Sequence, residues 1–324
     1  MELVELMFEM AALLGLISIS KLILGAVNFV WVMFLRKPKD LVKCYGSWAL
    51  VTGATDGIGR AMAFQLASKG LNLILLARNP SKLESTSQEL AEKYGDRVAV
   101  KCIVADLDKL KKDEIIKAVQ EGIQGLDVGI LINNAGLIYD FPQFLHEADP
   151  QMVESLLNVN IGGLTWTTMA LLPSMLKRKR GAIVNVGSGV AHVMPGYPLL
   201  AAYCGSKAYI EYFSKSVTLE YKARGIDIQC QIPLLVETKM IGAIKAGRLT
   251  PSAETWSKAS IRWIGYEAAV CIPYWVHYME SIVFKTMPIL IPNRHTLQGR
   301  LLLRKQGMEK KHAMKLDVDH KKNP

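Results

Sequence analysis

The stretch that most limits what this chain can become is residues 48–61, Trp-Ala-Leu-Val-Thr-Gly-Ala-Thr-Asp-Gly-Ile-Gly-Arg-Ala. Trp48 to Val51 is a short apolar run of the kind that forms a buried strand. It passes directly into glycines at 53, 57 and 59, and a helical pattern starts near Ala61. Gly53 permits a tight turn, Gly57 lets backbone approach a pyrophosphate, and Gly59 lets a helix pack close on the strand. The start of that helix offers N–H groups and a partial positive charge to phosphates. The spacing Gly-x-x-x-Gly-x-Gly differs from the commoner Gly-x-Gly-x-x-Gly. By itself it points to a dinucleotide site without establishing one.

The rest of the chain follows the same strand-then-helix rhythm. Helix 60–69 leads to a strand over 71–77, helix 80–94 to a strand over 98–104, and helix 109–123 to Val128–Gly136. A long helix over 150–177 precedes a strand at 181–187, helix 202–224 precedes a strand at 225–232, and a last strand falls near 270–276. This alternation implies an α/β fold, a doubly wound parallel sheet of Rossmann type with helices on both faces. Arg78 ends the second strand, where an NAD-binding chain usually carries an acidic residue for the ribose. A guanidinium there suits a 2′-phosphate, which favours NADPH, with Arg60 as a second contact. Asp106 lies just past the third strand, positioned to meet an adenine amino group or to cap the next helix. Asn160 is an amide inside an apolar helix and requires a partner. Tyr203 and Lys207 stand one turn apart on one helix face.

Charge and cysteine content exclude several classes. The net charge is +10, but residues 45–240 hold 20 Lys+Arg against 19 Asp+Glu and residues 241–324 hold 14 against 6. The excess therefore lies in the C-terminal part, beside apolar sequence, which fits an anionic membrane surface better than nucleic acid. Cys44, Cys102, Cys204, Cys230 and Cys271 are odd in number and scattered. Free thiols in a reducing compartment are expected. The histidines, among them His146, His192 and His277, show no ligand spacing, so no metal site is expected, and these three are read as surface or satisfied polar residues.

Residues 10–35 are apolar apart from Lys21 and a few small polar residues, long enough for one tilted membrane span. Lys21 near the middle is costly and leaves open two shorter re-entrant pieces or a flat helix. A cleaved signal peptide fits poorly, because the run is too long and no cleavage site is evident. Glu2, Glu5 and Glu9 precede the run and Arg36, Lys37, Lys39 and Lys43 follow it, which puts the residues after 36 in the cytosol. The expected division is an anchor over 1–36, a linker over 37–46, a dinucleotide-binding domain over 47–275 and an apolar, then basic, extension over 276–324. Residues 261–292 are rich in Trp, Tyr, Ile and Val, with Pro273, Pro288 and Pro292 interrupting any long helix. Part of this region is read as a lid facing lipid or an acyl chain.

Taken in order, Thr52-Gly-x-x-x-Gly-Ile-Gly59, Asn133-Asn-Ala-Gly136, Asn160, Ser188 and Tyr203-x-x-x-Lys207 resemble the short-chain dehydrogenase/reductase family over residues 46–275. The resemblance implies a catalytic set of Asn160, Ser188, Tyr203 and Lys207. It implies cofactor contacts at Gly53, Thr55, Asp56, Gly57, Ile58, Gly59, Arg78, Asp106, Asn133, Ala135, Tyr203, Lys207, Val236 and Thr238. Tyr203 would give a proton to a developing alkoxide, its acidity raised by the Lys207 ammonium, while Ser188 holds the carbonyl oxygen. In the family the counterpart of Lys207 also binds the nicotinamide ribose, and that of Asn160 holds a relay water. Leu234 stands where many members have glycine in a Pro-Gly-x-x-x-Thr segment, a departure that bears on Val236 and Thr238.

Tyr45-Gly-Ser-Trp48, Lys69-Gly-Leu-Asn-Leu-Ile-Leu75, Gly125–Gly136 and Gln229-Cys-Gln-Ile-Pro233 narrow the resemblance to the microsomal very-long-chain 3-oxoacyl-CoA reductases of plants. Their relatives include 17β-hydroxysteroid dehydrogenases. The resemblance implies NADPH-dependent reduction of a long 3-oxoacyl-CoA in fatty-acid elongation, with other elongase subunits as partners and homo-oligomers possible. A steroid reductase and a non-catalytic elongase scaffold remain the alternatives. Lys321-Lys322-Asn323-Pro324 resembles a dilysine retrieval signal, which agrees with an endoplasmic-reticulum membrane protein whose catalytic domain and C-terminus are cytosolic.

Overall fold

A computed structural model of the chain describes residues 2–242, 245–266, 268–287 and 296–322. It divides into two compact units, Met1–Pro38 and Lys39–Pro324. In the first, helix α1 (Glu2–Val30) is unbroken at Lys21 and continues into a wider π turn at Trp31–Leu35. The helix thus has no break of the kind that two shorter pieces would need. The apolar stretch Leu3–Leu35 has 33 residues, and its most apolar 18-residue window has a mean hydropathy of 2.1 with none of it buried; Met33, near the end of the stretch, is buried. At 1.5 Å per residue it extends roughly 50 Å, against about 30 Å of bilayer hydrocarbon. Length and composition make it a candidate membrane anchor.

The second unit is built on seven parallel strands, β1 (Trp48–Thr52), β2 (Asn72–Ala77), β3 (Val100–Val104), β4 (Val128–Asn133), β5 (Gly181–Val186), β6 (Ile226–Gln231) and β7 (Val270–Cys271), in the order β3-β2-β1-β4-β5-β6-β7. Both faces are covered, as all-parallel sheets require. Ala49 and Val51 of β1 face one core, packed with Met62, Leu66 and Trp256. Leu50 faces the other, with Ile115, Leu171 and Met175. The first core is covered by α3 (Gly57–Ala67), α4 (Pro80–Tyr94) and α10 (Ala253–Ile261), and the second by α5 (Lys112–Ile123) and α7 (Leu164–Arg178). The chain winds outward from β1 through β2 to β3, then crosses back to lay β4 against β1. That reversal opens a crevice at the carboxyl ends of the strands, where ligands of such sheets bind.

Three differences from the sequence reading have clear causes. Helix α3 starts at Gly57, earlier than residue 60, because Asp56 caps it by accepting from the Gly57 N–H at 2.9 Å. The long helix expected over 150–177 is split into α6 (Pro150–Leu157), a π turn at Asn158–Gly163 and α7. The wide turn carries Asn160, whose side chain is claimed by groups outside the helix, and π turns accommodate such detours. Residues 37–46, expected as a linker, contain helix α2 (Leu41–Tyr45), whose Leu41 and Tyr45 are buried in the first core. The Tyr45 hydroxyl donates to Asp227, which also faces Lys39 at 3.6 Å. Helix α11 (Trp275–Thr286) likewise belongs partly to the fold, since Val276, His277 and Ser281 are buried. The expected boundary at 275 therefore cuts through packed sequence. Pro288 and Pro292 lie outside the described residues.

Because Tyr45 fills core space on a segment that reads as a tether, Tyr45→Ala should lower the stability of the full-length protein by about 3 kcal/mol. Urea unfolding of the detergent-solubilised chain measures this; a change near zero would mean that 41–45 is dispensable to the core.

Candidate active site

The crevice above β1 and β4 encloses about 710 Å³, within the range of small-molecule sites. Gly53, Thr55, Asp56, Gly57 and Ile58 form its floor, and Arg78 and Asp106 line it together with Asn79 and Lys82. Ala135, Ser188, Tyr203, Lys207, Val236 and Thr238 also line it. The fold thus gathers residues from six strand ends into one cleft.

The remaining expected site residues lie behind the wall. Gly59 packs against the turn: a Cβ there would come within 2.3 Å of the Gly53 carbonyl oxygen and of the Asn134 amide. Asn133, expected as a cofactor contact, is buried, with its amide donating to Thr168 Oγ1 at 2.9 Å and Asn185 Oδ1 at 2.8 Å. It is still part of β4, so the alternation of the strand turns it towards α7. Its neighbour Asn134, part of the Asn-Asn-Ala-Gly motif but not among the expected cofactor contacts, borders the crevice instead. The Asn134 amide donates to Thr52 O at 3.1 Å and Gly53 O at 3.3 Å, tying β4 to the glycine turn. The doubled asparagine was the available signal. Asn160 is fully buried: its Oδ1 accepts from Leu137 N at 2.7 Å, and its amide donates to Leu137 O at 3.0 Å and Ser206 Oγ at 2.9 Å.

At the Arg78 end, Lys82 supplies a second cation. Arg60, expected in that role, faces the other way. It pairs with Glu89 and lies over the Phe64 ring at 4.7 Å. Asp56 is bonded to Lys239 at 2.9 Å, with Lys82 at 3.7 Å. Burial opposes its ionisation, but the Lys239 and Gly57 hydrogen bonds outweigh this and hold its carboxyl below the usual range. Asp106 does not cap α5, which starts later; it closes its own turn by accepting from the Asp108 N–H at 3.1 Å.

At the opposite end stands Tyr203 on α9 (Ala201–Tyr221), preceded by the one-turn helix α8 (Gly189–His192) that Ser188 caps. Tyr203 and Lys207 are both buried. The Lys207 ammonium donates to Val186 O at 2.9 Å and lies 5.9 Å from the centre of the Tyr203 ring. Burial pushes the Tyr203 phenol up to about 12, with the Ser188 hydrogen bond pulling the other way, and burial pushes Lys207 down to about 8. The expected lowering of the phenol by the ammonium is therefore absent. The cation is held on a backbone carbonyl, and desolvation dominates both groups. What the site presents at neutral pH is a protonated phenol beside a serine hydroxyl.

Glu211, on the same helix, accepts from His192 Nδ1 at 3.0 Å and Lys215 at 2.6 Å, and Lys285 of α11 meets His192 Nε2 at 3.0 Å. Among the described residues no group of side chains has the make-up of a metal site.

Residues 47–249 match the short chain dehydrogenase family. The chain belongs to that family, a class of oxidoreductases built on this sheet and cleft. It is 45% identical over 259 residues to a very-long-chain 3-oxoacyl-CoA reductase-like protein of Arabidopsis thaliana, covering 79% of this chain and 81% of the relative. It is 38% identical to the hydroxysteroid dehydrogenase-like protein 1 of Gallus gallus, over 77% of this chain and 74% of that one. It is 35% identical to the very-long-chain 3-oxoacyl-CoA reductase of Anas platyrhynchos, over 80% and 84%. A short-chain dehydrogenase from Sphingobium yanoikuyae, solved with NADPH, superposes with a TM-score of 0.60 at 25% identity, over 75% of this chain and 94% of that one.

Burial opposes the charge on Glu211, but its bonds to His192 and Lys215 outweigh this and bring its pKa from 4.5 to about 2. The folded state then keeps the charge where the unfolded chain protonates. The stabilisation is complete above pH 4.5 and is lost as pH falls towards 2. Urea midpoints across that window should fall steeply for the wild type and more shallowly for Glu211→Gln. Identical acid limbs would remove Glu211 as the source.

Proposed function

We propose that the protein reduces long- or very-long-chain 3-oxoacyl-CoA to 3-hydroxyacyl-CoA with NADPH, in fatty-acid elongation, held at the endoplasmic-reticulum membrane by α1. The observation that carries the reaction is that Ser188, Tyr203 and Lys207 share one cleft with the glycine turn. The cleft suits a dinucleotide on its own geometry. Gly53 and Gly57 have φ of 63° and 51°, and a Cβ on Gly53 would come within 3.0 Å of Ala135. A flat backbone floor thus leads into a helix start, the arrangement that accepts a pyrophosphate. Arg78 and Lys82 at one end supply cations for a 2′-phosphate, and the absence of an acidic residue at 78 favours NADPH over NADH.

The bound nicotinamide would supply the hydride. The chain's own residues do the rest. Tyr203 is proton-loaded, the form required to give a proton to the C3 oxygen as it becomes an alkoxide. Ser188 donates to the same oxygen and holds it beside the phenol. Lys207 and Asn160 both border Gly136, where a Cβ would lie 3.8 Å from Nζ and 3.4 Å from Oδ1, and they flank the proposed return path of the proton. The substrate class is drawn from the names of the Arabidopsis and duck relatives. A membrane anchor suits a substrate whose acyl chain partitions into lipid.

Two measurements test this reading. Purified full-length protein should oxidise NADPH with 3-oxoacyl-CoA far faster than with a 17-ketosteroid, and Tyr203→Phe should lower kcat on the order of 10³-fold while leaving NADPH affinity unchanged. A many-fold preference for the steroid would favour the hydroxysteroid reading that the Gallus relative's name suggests. Unchanged cellular function in Tyr203→Phe would favour a scaffold. Separately, Arg78→Glu should lower kcat/KM for NADPH by about tenfold or more and spare NADH; equal losses with both would remove Arg78 from phosphate recognition.

A further inference from the structure

His277 is fully buried on α11 and takes no part in lining the crevice. Its Nδ1 accepts from the Leu234 N–H at 3.2 Å, and its Nε2–H donates to the Leu235 carbonyl at 3.1 Å. One ring nitrogen accepts and the other donates, so a single neutral tautomer satisfies both peptide groups. Tyr274 closes over the ring edge-on at 5.0 Å. Burial pushes the imidazole down to about 4, against backbone hydrogen bonds to Leu249 and Leu235 that favour its charged form, so it stays neutral across ordinary buffers.

The peptide groups it holds belong to the crevice wall. Pro233, Leu234 and Val236 line the cleft. The segment also touches the serine turn: the Gly189 N–H donates to Pro233 O at 2.9 Å, and a Cβ on Gly189 would come within 3.0 Å of Leu234 Cγ. Gly189 follows Ser188 directly. A continuous run of contacts therefore leads from α11 through Leu234 and Leu235 to Val236 on one side and to Ser188 on the other. Removing the imidazole would leave a part-buried N–H and C=O without this partner, and such groups pull backbone away in search of water.

We propose that His277 is a positioning residue, supplied by the C-terminal part of the chain, that fixes the 233–236 wall of the crevice and through Gly189 the Ser188 hydroxyl. This rests on reading the crevice as the nicotinamide site. A purely space-filling ring would need no polar atoms; a positioning role needs an acceptor facing Leu234 and a donor facing Leu235. His277→Asn puts an oxygen near Nδ1 and keeps the acceptor. His277→Gln puts a nitrogen near Nε2 and keeps the donor. His277→Phe keeps a ring and loses both.

The test uses full-length, detergent-solubilised protein, with NADPH fluorescence titration in the absence of ketone, steady-state kinetics and urea unfolding. His277→Phe should weaken NADPH binding about tenfold and raise KM for the ketone, whereas Asn and Gln should each recover part of the loss, with cooperative unfolding retained. If His277→Phe does not fold, the Asn and Gln variants still decide, since each should show a smaller and different split between KM and kcat. Wild-type affinity in His277→Phe, or equal losses in all three variants that follow the fall in unfolding midpoint, would overturn the proposal alone. Wild-type protein that binds neither NADPH nor NADH would overturn the reading of the crevice, and this inference with it.

Discussion

The molecule depends on the junction between the ends of β1 and β4. The Thr52 hydroxyl accepts from the backbone N–H groups of Asn134 and Ala135, each at 3.0 Å. The Asn134 amide returns bonds to the carbonyls of Thr52 and Gly53. Here the winding of the sheet reverses, so the two strands diverge and their last peptide groups lose ladder partners. Side chains replace those partners, and the turn beyond them stays open and rigid. Every other feature of the cleft is referenced to that fixed floor, because a backbone surface able to approach a phosphate must be both bare and immobile.

Desolvation governs the chemistry at the far end. Tyr203 and Lys207 are buried, neither with an ion-pair partner among the described residues, and each is biased towards its neutral form. For a reductive step this is the useful state, since the phenol holds the proton it is proposed to deliver. The Lys207 ammonium is anchored on Val186 O, the end of β5, so strand and helix set its place together. Its distance from the phenol ring follows from that anchor. A one-turn spacing on a helix brings two side chains near each other, but which acceptor the longer one reaches is a matter of tertiary packing.

The C-terminal third contributes more to the cleft than its composition suggests. Trp256 of α10 is fully buried in the first core. Lys239 reaches back to Asp56 at the cap of α3, joining the wall after β6 to the floor after β1. Helix α11 supplies His277 to that wall and Lys285 to His192. The aromatic and aliphatic residues that read as a surface-seeking lid are shared between two duties. Val276 and His277 face inward, while Trp275, Ile282 and Val283 remain exposed.

The sequence alone determined a good deal. Short apolar runs ending in glycine or asparagine, alternating with helical periods, required a parallel α/β sheet, because only such a sheet buries strands of that kind on both faces. The order of Gly53–Gly59, Ser188, Tyr203 and Lys207 marked the carboxyl edge as the place where chemistry would gather. The continuous apolar stretch near the N-terminus is equally a one-dimensional property. Only the tertiary structure decided which members of each motif face the cleft. Asn133 and Asn134 differ by one residue and point to opposite sides, since strand alternation fixes direction but register fixes which side is inward. Arg60 and Arg78 carry the same charge, yet one turns to Glu89 and the other borders the crevice. Whether Tyr45 would bury, whether His277 would meet two peptide groups, and whether Lys207 would reach a carbonyl or the phenol all depend on contacts between residues far apart along the chain, and local pattern carries no record of those.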